Sequence, residues 1–273
     1  MSTSNQVLSC EGSTRVYNYK KDPVDTRDFK FHLKFNTVDT KILPNSVDLR
    51  RGNLLPPAFD QLSLGSCASN ATSNALRFLL KRDKKREFIP SRLFIYYFSR
   101  LLQNTINEDS GCSIRECMKA IATYGCCSEN LWPYKINDFT KIPPEQCKKA
   151  GLTHTKNFKY MSVNQNLKSI KNALAQGFPI IFGISIYESF DTENVLKSGK
   201  VPLPNISVEN SLGGHAILLV AYDDVTRIFT FLNSWGVGTL DNPIGDKGFF
   251  TIPYDYVLNP NLASDFWICT GFS

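Results

Sequence analysis

Cys67 stands directly behind Gly65 and Ser66 and directly ahead of an alanine-dotted run, ASNATSNALRFLL, with Gln61 six positions upstream. Within that run Ala68, Ala71, Ala75, Phe78 and Leu79 recur at steps of three and four, which predicts a helix over 67–80 with one apolar face. Cys67 then falls at a helix N-terminus, where unpaired backbone N–H groups and the macrodipole favour an anion and lower a thiol pKa. Thiol catalysis also needs a base, an orienter for that base, and donors for an oxyanion. Three histidines compete for the first task. His32 lies in a charged N-terminal segment and His154 in a Lys/Thr-rich loop, both expected at the solvated surface. His215, in LGGHAILLVAY, stands at the mouth of an apolar strand behind two glycines that leave room for a substrate backbone. A satisfied core histidine is the alternative there. Asn233, in FLNSWG, sits on a neighbouring strand pattern, where its amide oxygen could accept from one imidazole nitrogen and leave the other for the thiol. Trp235 could keep water off that bond, although an Asn before a turn is often only a turn residue. The Gln61 amide could donate to an oxyanion, and Gly65 and Ser66 leave space for a carbonyl to approach.

Elements must bring these residues together. SRLFIYYFSRLL (91–102) predicts a second helix capped by Ser91. SIRECMKAIATYG (113–125) predicts a third, capped by Ser113 and ended by Gly125, and NLKSIKNALAQG (166–177) a short fourth. The later segments FPIIFGISIY, HAILLVAYDD, IFTFLNSWG and KGFFTIPYDY alternate β-branched and aromatic residues between turn signals and predict strands. Helices lead and strands follow, an α+β arrangement in which a site between the halves draws on both.

Composition narrows the function classes. The 273 residues are 42% apolar and 21% charged, which suits one large core or two small ones rather than a fibre or a disordered chain. The net charge of +6 is mild, and its densest run, KRDKKRE at 81–87, has no interleaved aromatics, so a solvated face is expected and no nucleic-acid partner. No apolar run suggests a membrane span or a signal peptide, so a soluble protein with no membrane partner, cytoplasmic or packaged in a particle rather than secreted, is the expectation. The cysteines at 10, 67, 112, 117, 126, 127, 147 and 269 then read as free thiols. They contain no CxxC pair, so neither a metal nor another cofactor is expected. The sequons at Asn70 and Asn205 should carry no sugar. A boundary is placed near Leu43-Pro44. Residues 1–42 form a polar leader, and 43–273 a main domain whose helical part covers about 55–150 and sheet part about 151–273.

Gln61 with Cys67, then Gly-His-Ala heading a strand, then Asn-Ser-Trp-Gly, resembles the papain-like cysteine proteases, and the separations match. LPNSVDLR resembles the mature N-terminus of members. EDSGCSIRECMKAIATYG with ENLWPY resembles the glycine-bearing cleft wall with the helix and loop after it, and GDKGFFTI resembles the closing strand. The likeness covers roughly 43–273. It implies a helical lobe against an antiparallel, β-barrel-like sheet lobe with the active site in the groove between them. It also implies Cys67 as nucleophile, His215 as acid/base, Asn233 as orienter, and Gln61 with the Cys67 N–H as oxyanion donors. Gly65, Ser66, Gly111, Cys112, Gly214 and Trp235 would then border the substrate, a protein or peptide, with Gly111 on a ledge that binds extended chain. The pocket for the second residue before the cleaved bond would lie near Gly213-Gly214 and the stretch from Phe266 to Cys269.

Around the nucleophile the sequence departs from that family at two positions. Leu64 and Ala68 flank the nucleophile where cysteine and tryptophan are usual, and Asp109 stands where the partner of that first cysteine would be, as suits a disulfide-poor bacterial, archaeal or large-virus branch. No adjacent histidine pair is present to clamp a substrate C-terminus, so an endopeptidase is expected. The leader either covers the cleft as an inhibitory segment or braces the two lobes. A catalytically silent homologue that binds peptides is the competing class, and acyl transfer to another amine would use the same residues. Side-chain preference and oligomeric state are not legible.

Overall fold

The computed structural model describes residues 6–8, 14–31 and 43–273; Cys10 and His32 lie outside these. The first described elements are β1 (Gln6–Leu8) and β2 (Thr14–Val16), which pair antiparallel, then the short β3 (Ser46–Asp48). Helices α1 (Cys67–Arg82), α2 (Arg92–Leu102), α3 (Ile114–Tyr124) and α4 (Glu145–Leu152) build the helical half. The sheet half holds β4 (Lys159–Ser162), α5 (Leu167–Ala175), β5 (Ile180–Tyr187), α6 (Glu193–Ser198) and β6 (Ser211–Asp223). It continues with β7 (Ile228–Leu232), β8 (Phe249–Pro253), α7 (Tyr254–Leu258) and β9 (Ala263–Gly271).

The strands run antiparallel in the order β4-β9-β5-β6-β7-β8, with β3 added to the end of β6. The sheet is open, with β4 and β8 at its edges, so among the described residues the barrel-like expectation is corrected to a twisted sheet that does not close. One hydrophobic core gathers around α1, α2 and α3, and the other between the sheet and α5. α1 lies at their junction, against β6, β5 and β9 on one side and α2 and α3 on the other.

That position changes the reading of α1. Its expected single apolar face is instead burial on nearly all sides, from Cys67 to Ala75 without a break. The buried polar side chains are answered locally. Ser69 Oγ and Asn70 Nδ2 donate to the Ser66 carbonyl at 2.9 Å, Thr72 to the Ala68 carbonyl, and Ser73 to the Pro90 carbonyl. Small residues on this helix let the sheet approach closely, the condition for a site that draws on both halves.

Elsewhere the caps decide the boundaries. Ser91 and Ser113 accept from Phe94 N and Glu116 N, and Asn166 from Ser169 N. Two expectations are corrected. KGFFTIPYDY does not remain a strand, because Pro253 ends β8 and α7 begins at Tyr254. His154 is half-buried rather than solvated, its ring between Phe88 and Phe272 at centroid distances of 4.9 and 5.4 Å, with Nδ1 2.7 Å from the Ser273 carbonyl.

Candidate active site

Ser66 is the N-cap of α1, but its side chain does not cap the helix. Its hydroxyl instead meets Tyr134 Oη at 2.5 Å and accepts from Asn70 Nδ2. The first amides of α1, those of Cys67 and Ala68, and the amide of Ala216 lie near enough to the Cys67 thiol to favour its anion. Ala216 follows His215 on β6, which places the thiol beside the imidazole's own strand.

His215 pairs with Ile184 across β5–β6, in the middle of the sheet, and is fully buried. Its Nε2 lies 2.8 Å from Asn233 Oδ1, just beyond the end of β7. That oxygen also accepts the Ser234 N–H at 2.8 Å, which identifies it as the acceptor and Nε2 as the protonated nitrogen. Nδ1 is buried and has no hydrogen-bond partner. The Trp235 ring stacks on the imidazole at a centroid distance of 5.2 Å. Gln61 is buried behind this turn, where Ser234 Oγ donates to its Oε1 at 2.6 Å and its Nε2 donates to the Leu64 carbonyl at 3.1 Å.

Burial sets the charge state. It pushes the Cys67 thiol up to about 12, against the helix amides and Ala216 N–H, which pull it down. It pushes His215 down to about 4, against the Asn233 hydrogen bond. In this closed form the pair is a neutral thiol and a neutral imidazole.

The opposite wall is built around a carboxylate. Asp109 accepts the Gly65 N–H on both oxygens at 3.0 Å and takes a hydrogen bond from the Tyr96 hydroxyl, which in turn accepts the Gly111 N–H at 3.1 Å. Where the family resemblance implies a disulfide, a hydrogen-bonded cluster around the Asp109 carboxylate ties the Cys67 loop to the Gly111 wall. Arg100 steadies the same wall by donating to the Ile106 and Glu108 carbonyls. The Cys112 side chain faces inward, with Sγ 3.6 Å from Cys117 Sγ, so only its backbone borders the groove. All seven described cysteines are free. Among the described residues no group of three or more His, Cys, Asp or Glu is placed to hold a metal, and no helix is long and apolar enough to cross a membrane.

The groove is occupied by the chain's own N-terminal segment. Gly214 N–H donates to the Tyr17 carbonyl at 3.3 Å, and the Gly214 carbonyl accepts Tyr19 N–H at 3.0 Å. On the other wall Lys20 N–H donates to the Cys112 carbonyl at 3.4 Å, and Asn18 Nδ2 to the Asp109 carbonyl at 3.0 Å. The Asn18 carbonyl fills the place a side chain at Gly111 would take, 1.7 Å from a Cβ built there; the φ of 67° at Gly111 also disfavours any other residue. The Tyr17 ring lies edge-on to His215 at 6.0 Å. Arg15 covers the Trp235 ring at 4.4 Å and pairs with Asp191.

Beyond the groove, Asp22 accepts Arg115 N–H at 3.1 Å and Trp267 Nε1–H at 2.8 Å. Burial and the nearby Asp265 raise its pKa to about 6. Arg115 also pairs with Asp28 and donates to the Pro23 carbonyl, and Phe31 N–H donates to Ser162 O at 2.6 Å. Tyr96 carries no motif and Asp109 was marked only as the place of a missing cysteine, so sequence reading passed over the bonds by which they hold the wall.

Comparison with known proteins agrees with this geometry. Residues 43–265 match the family described as papain family cysteine protease. An uncharacterised peptidase C1-like protein of Acanthamoeba polyphaga mimivirus is 39% identical, over 93% of this chain and 86% of its own length. Xylellain, a cysteine protease from Xylella fastidiosa, superposes with a TM-score of 0.86 at 35% identity, covering 99% of both chains. A digestive procathepsin L 3 of Tenebrio molitor larval midgut shares the fold, with a TM-score of 0.66 at 21% identity over 93% of this chain and 76% of its own. A family match across most of the chain, with relatives above 30% identity along nearly its full length, leads to one assignment: this protein belongs to the papain family of cysteine proteases and is a cysteine-type peptidase.

Proposed function

We propose that the protein is a cysteine endopeptidase acting through Cys67, His215, Asn233 and Gln61, and that residues 15–31 hold it latent. The observation that carries the reading is His215 itself, its Nε2 bonded to Asn233 and its buried Nδ1 left without a partner, on the strand whose next amide lies near the Cys67 thiol.

The neutral pair of the closed form becomes reactive when the leader leaves. Water then relieves the desolvation that holds the thiol pKa high and the imidazole pKa low, and the proton moves from Sγ to Nδ1. The thiolate attacks the substrate carbonyl carbon, and the developing oxyanion accepts from the Cys67 N–H and from the hydrogen on Gln61 Nε2 not used by Leu64. Collapse breaks the C–N bond, with His215 giving its proton to the departing amine. His215 then takes a proton from water, whose oxygen attacks the thioester carbon; the C–S bond breaks, the carboxylic acid product leaves, and His215 returns its proton to the sulfur. Asn233 holds the ring in one tautomer throughout.

The path of the leader favours endopeptidase action. It enters at Arg15 over Trp235, passes His215 and leaves past Asp22, so the groove accepts a chain that continues on both sides. The leader's backbone contacts with Gly214 and Cys112 use groups that an extended substrate needs, which supports latency.

Titration with a thiol-directed epoxide tests the chemistry. Labelling is expected at Cys67, lost in Cys67→Ser and reduced in His215→Ala. Labelling of Cys67 no faster than that of the other cysteines would favour a silent binding module.

A further inference from the structure

The loop before Cys67 turns on the peptide bond between Leu64 and Gly65. From Gln61 to Ser66 the chain is neither helix nor strand, Leu62 and Ser63 are exposed, and Leu62 takes a left-handed φ of 56°. Packing on the outer side therefore does not hold this loop. The Leu64–Gly65 peptide is instead gripped at both ends. Its carbonyl accepts Ser66 N–H at 2.7 Å and Gln61 Nε2–H at 3.1 Å. Its N–H donates to both carboxylate oxygens of Asp109 at 3.0 Å.

A peptide unit is planar, and its N–H and C=O point in opposite directions, so fixing one end aims the other. A carboxylate on the N–H also makes the carbonyl a stronger acceptor, because hydrogen bonds in series polarise one another. The Leu64 carbonyl can only accept, so the Gln61 atom that faces it is the amide nitrogen. Ser234 Oγ–H occupies Gln61 Oε1 at 2.6 Å, which leaves one Nε2 hydrogen uncommitted. Asp109 is in turn set from outside the loop, by the Tyr96 hydroxyl of α2. Gly65 fits closely against it: a Cβ built there would stand 3.1 Å from Asp109 Oδ1 and 3.0 Å from Asn18 Cβ.

Resting on the protease reading, we propose that Asp109 is a positioning residue for the oxyanion. Through the Leu64–Gly65 peptide it aims the Gln61 amide at the carbonyl oxygen of the bond under attack. Its carboxylate is bonded to Gly65 and Tyr96, not to the thiol or the leader. Without that carboxylate the Gly65 N–H loses its acceptor and the peptide plane turns to find another. The Leu64 carbonyl then draws Gln61 Nε2 out of line. Acyl transfer slows, while the thiol stays as reactive as before.

The test uses the full chain carrying Arg115→Ala, which loosens the leader's outer fastening at Asp28 and Pro23. Two rates are compared: kcat/KM for the quenched peptide that this chain cuts fastest from a varied set, and alkylation of Cys67 by an epoxide. Both need an open groove and a reactive sulfur, but only the peptide develops charge on a carbonyl oxygen. Their ratio therefore isolates the oxyanion, and partial unfolding, which lowers both rates together, does not move it. Removal of an oxyanion donor costs about 10²–10³ in rate, and a displaced donor loses part of that. Asp109→Ala, or Asp109→Ser if that variant folds poorly, should lower the ratio of hydrolysis to alkylation roughly tenfold. In a Gln61→Ala background the same change should move the ratio by less than about twofold, because no amide is left to aim. An equal fall in both backgrounds, or a ratio that loss of the carboxylate leaves unchanged, overturns the proposal. Labelling of Cys67 with no peptide cut also overturns it, and absence of both takes the protease reading down with it.

Discussion

His215 is the residue on which the proposed chemistry turns, and its burial has a measurable consequence for stability. The folded chain holds it near a pKa of about 4, whereas an unfolded chain leaves it near its ordinary 6.5. Because the folded value is the lower one, the unfolded state binds the proton first as pH falls. The stability associated with the neutral imidazole is present above pH 6.5 and is lost progressively towards pH 4, on the order of 3 kcal/mol in all. His215→Gln has no such proton to take up. Urea midpoints at pH 7 and pH 4.5 should therefore differ less in the variant than in the native chain. An equal acid loss in both would mean that another group titrates. Cys67 pushes in the opposite direction on the scale, its raised pKa keeping the thiol protonated at neutral pH while the groove is filled.

At the level of the element, helix α3 illustrates how a cap holds the cleft wall. Ser113 accepts from Glu116 N–H, and the Glu116 carboxylate returns to the Ser113 hydroxyl, so the helix begins immediately after Gly111 and Cys112. Ser113→Ala should cost about 1 kcal/mol and lower Tm by roughly 2–4 °C, read by thermal melting; an unchanged Tm would show that the first turn is fixed by packing alone. Such caps were legible. Ser91 and Ser113 stand one residue ahead of periodic apolar runs, and α2 and α3 begin where those signals point. α4, α6 and α7 were missed because each has fewer than nine residues, too few for an apolar period to stand out. β9 was missed because ASDFWICTG interrupts its apolar alternation at Asp265, which takes a left-handed φ of 58°. Cys67, Gln61, His215 and Asn233 could be put forward because their types and order resemble the family's motifs. Asp109 was marked only as the place of a missing cysteine, since its bond to Gly65 exists only once the chain has folded.

On the scale of the whole molecule, two cores meet at α1, and the N-terminal segment crosses the seam between them, bonding Gly214 of the sheet half and Cys112 of the helical half. Arg115 is its outer fastening, through the Asp28 carboxylate and the Pro23 carbonyl, away from the reacting groups. Arg115→Ala in the full chain should speed Cys67 labelling by roughly three- to tenfold, the equivalent of ~1 kcal/mol. Labelling at the native rate would indicate that the segment braces the halves without guarding the thiol. The segment and the groove it fills also belong to one polypeptide, so their association is unimolecular. Its occupancy depends on the local effective concentration set by the connecting chain and not on the amount of protein in solution. Dilution alone should leave the groove filled at nanomolar protein as at millimolar. A rival ligand must outcompete a tethered neighbour, and scission of the connection would make that loss of occupancy permanent.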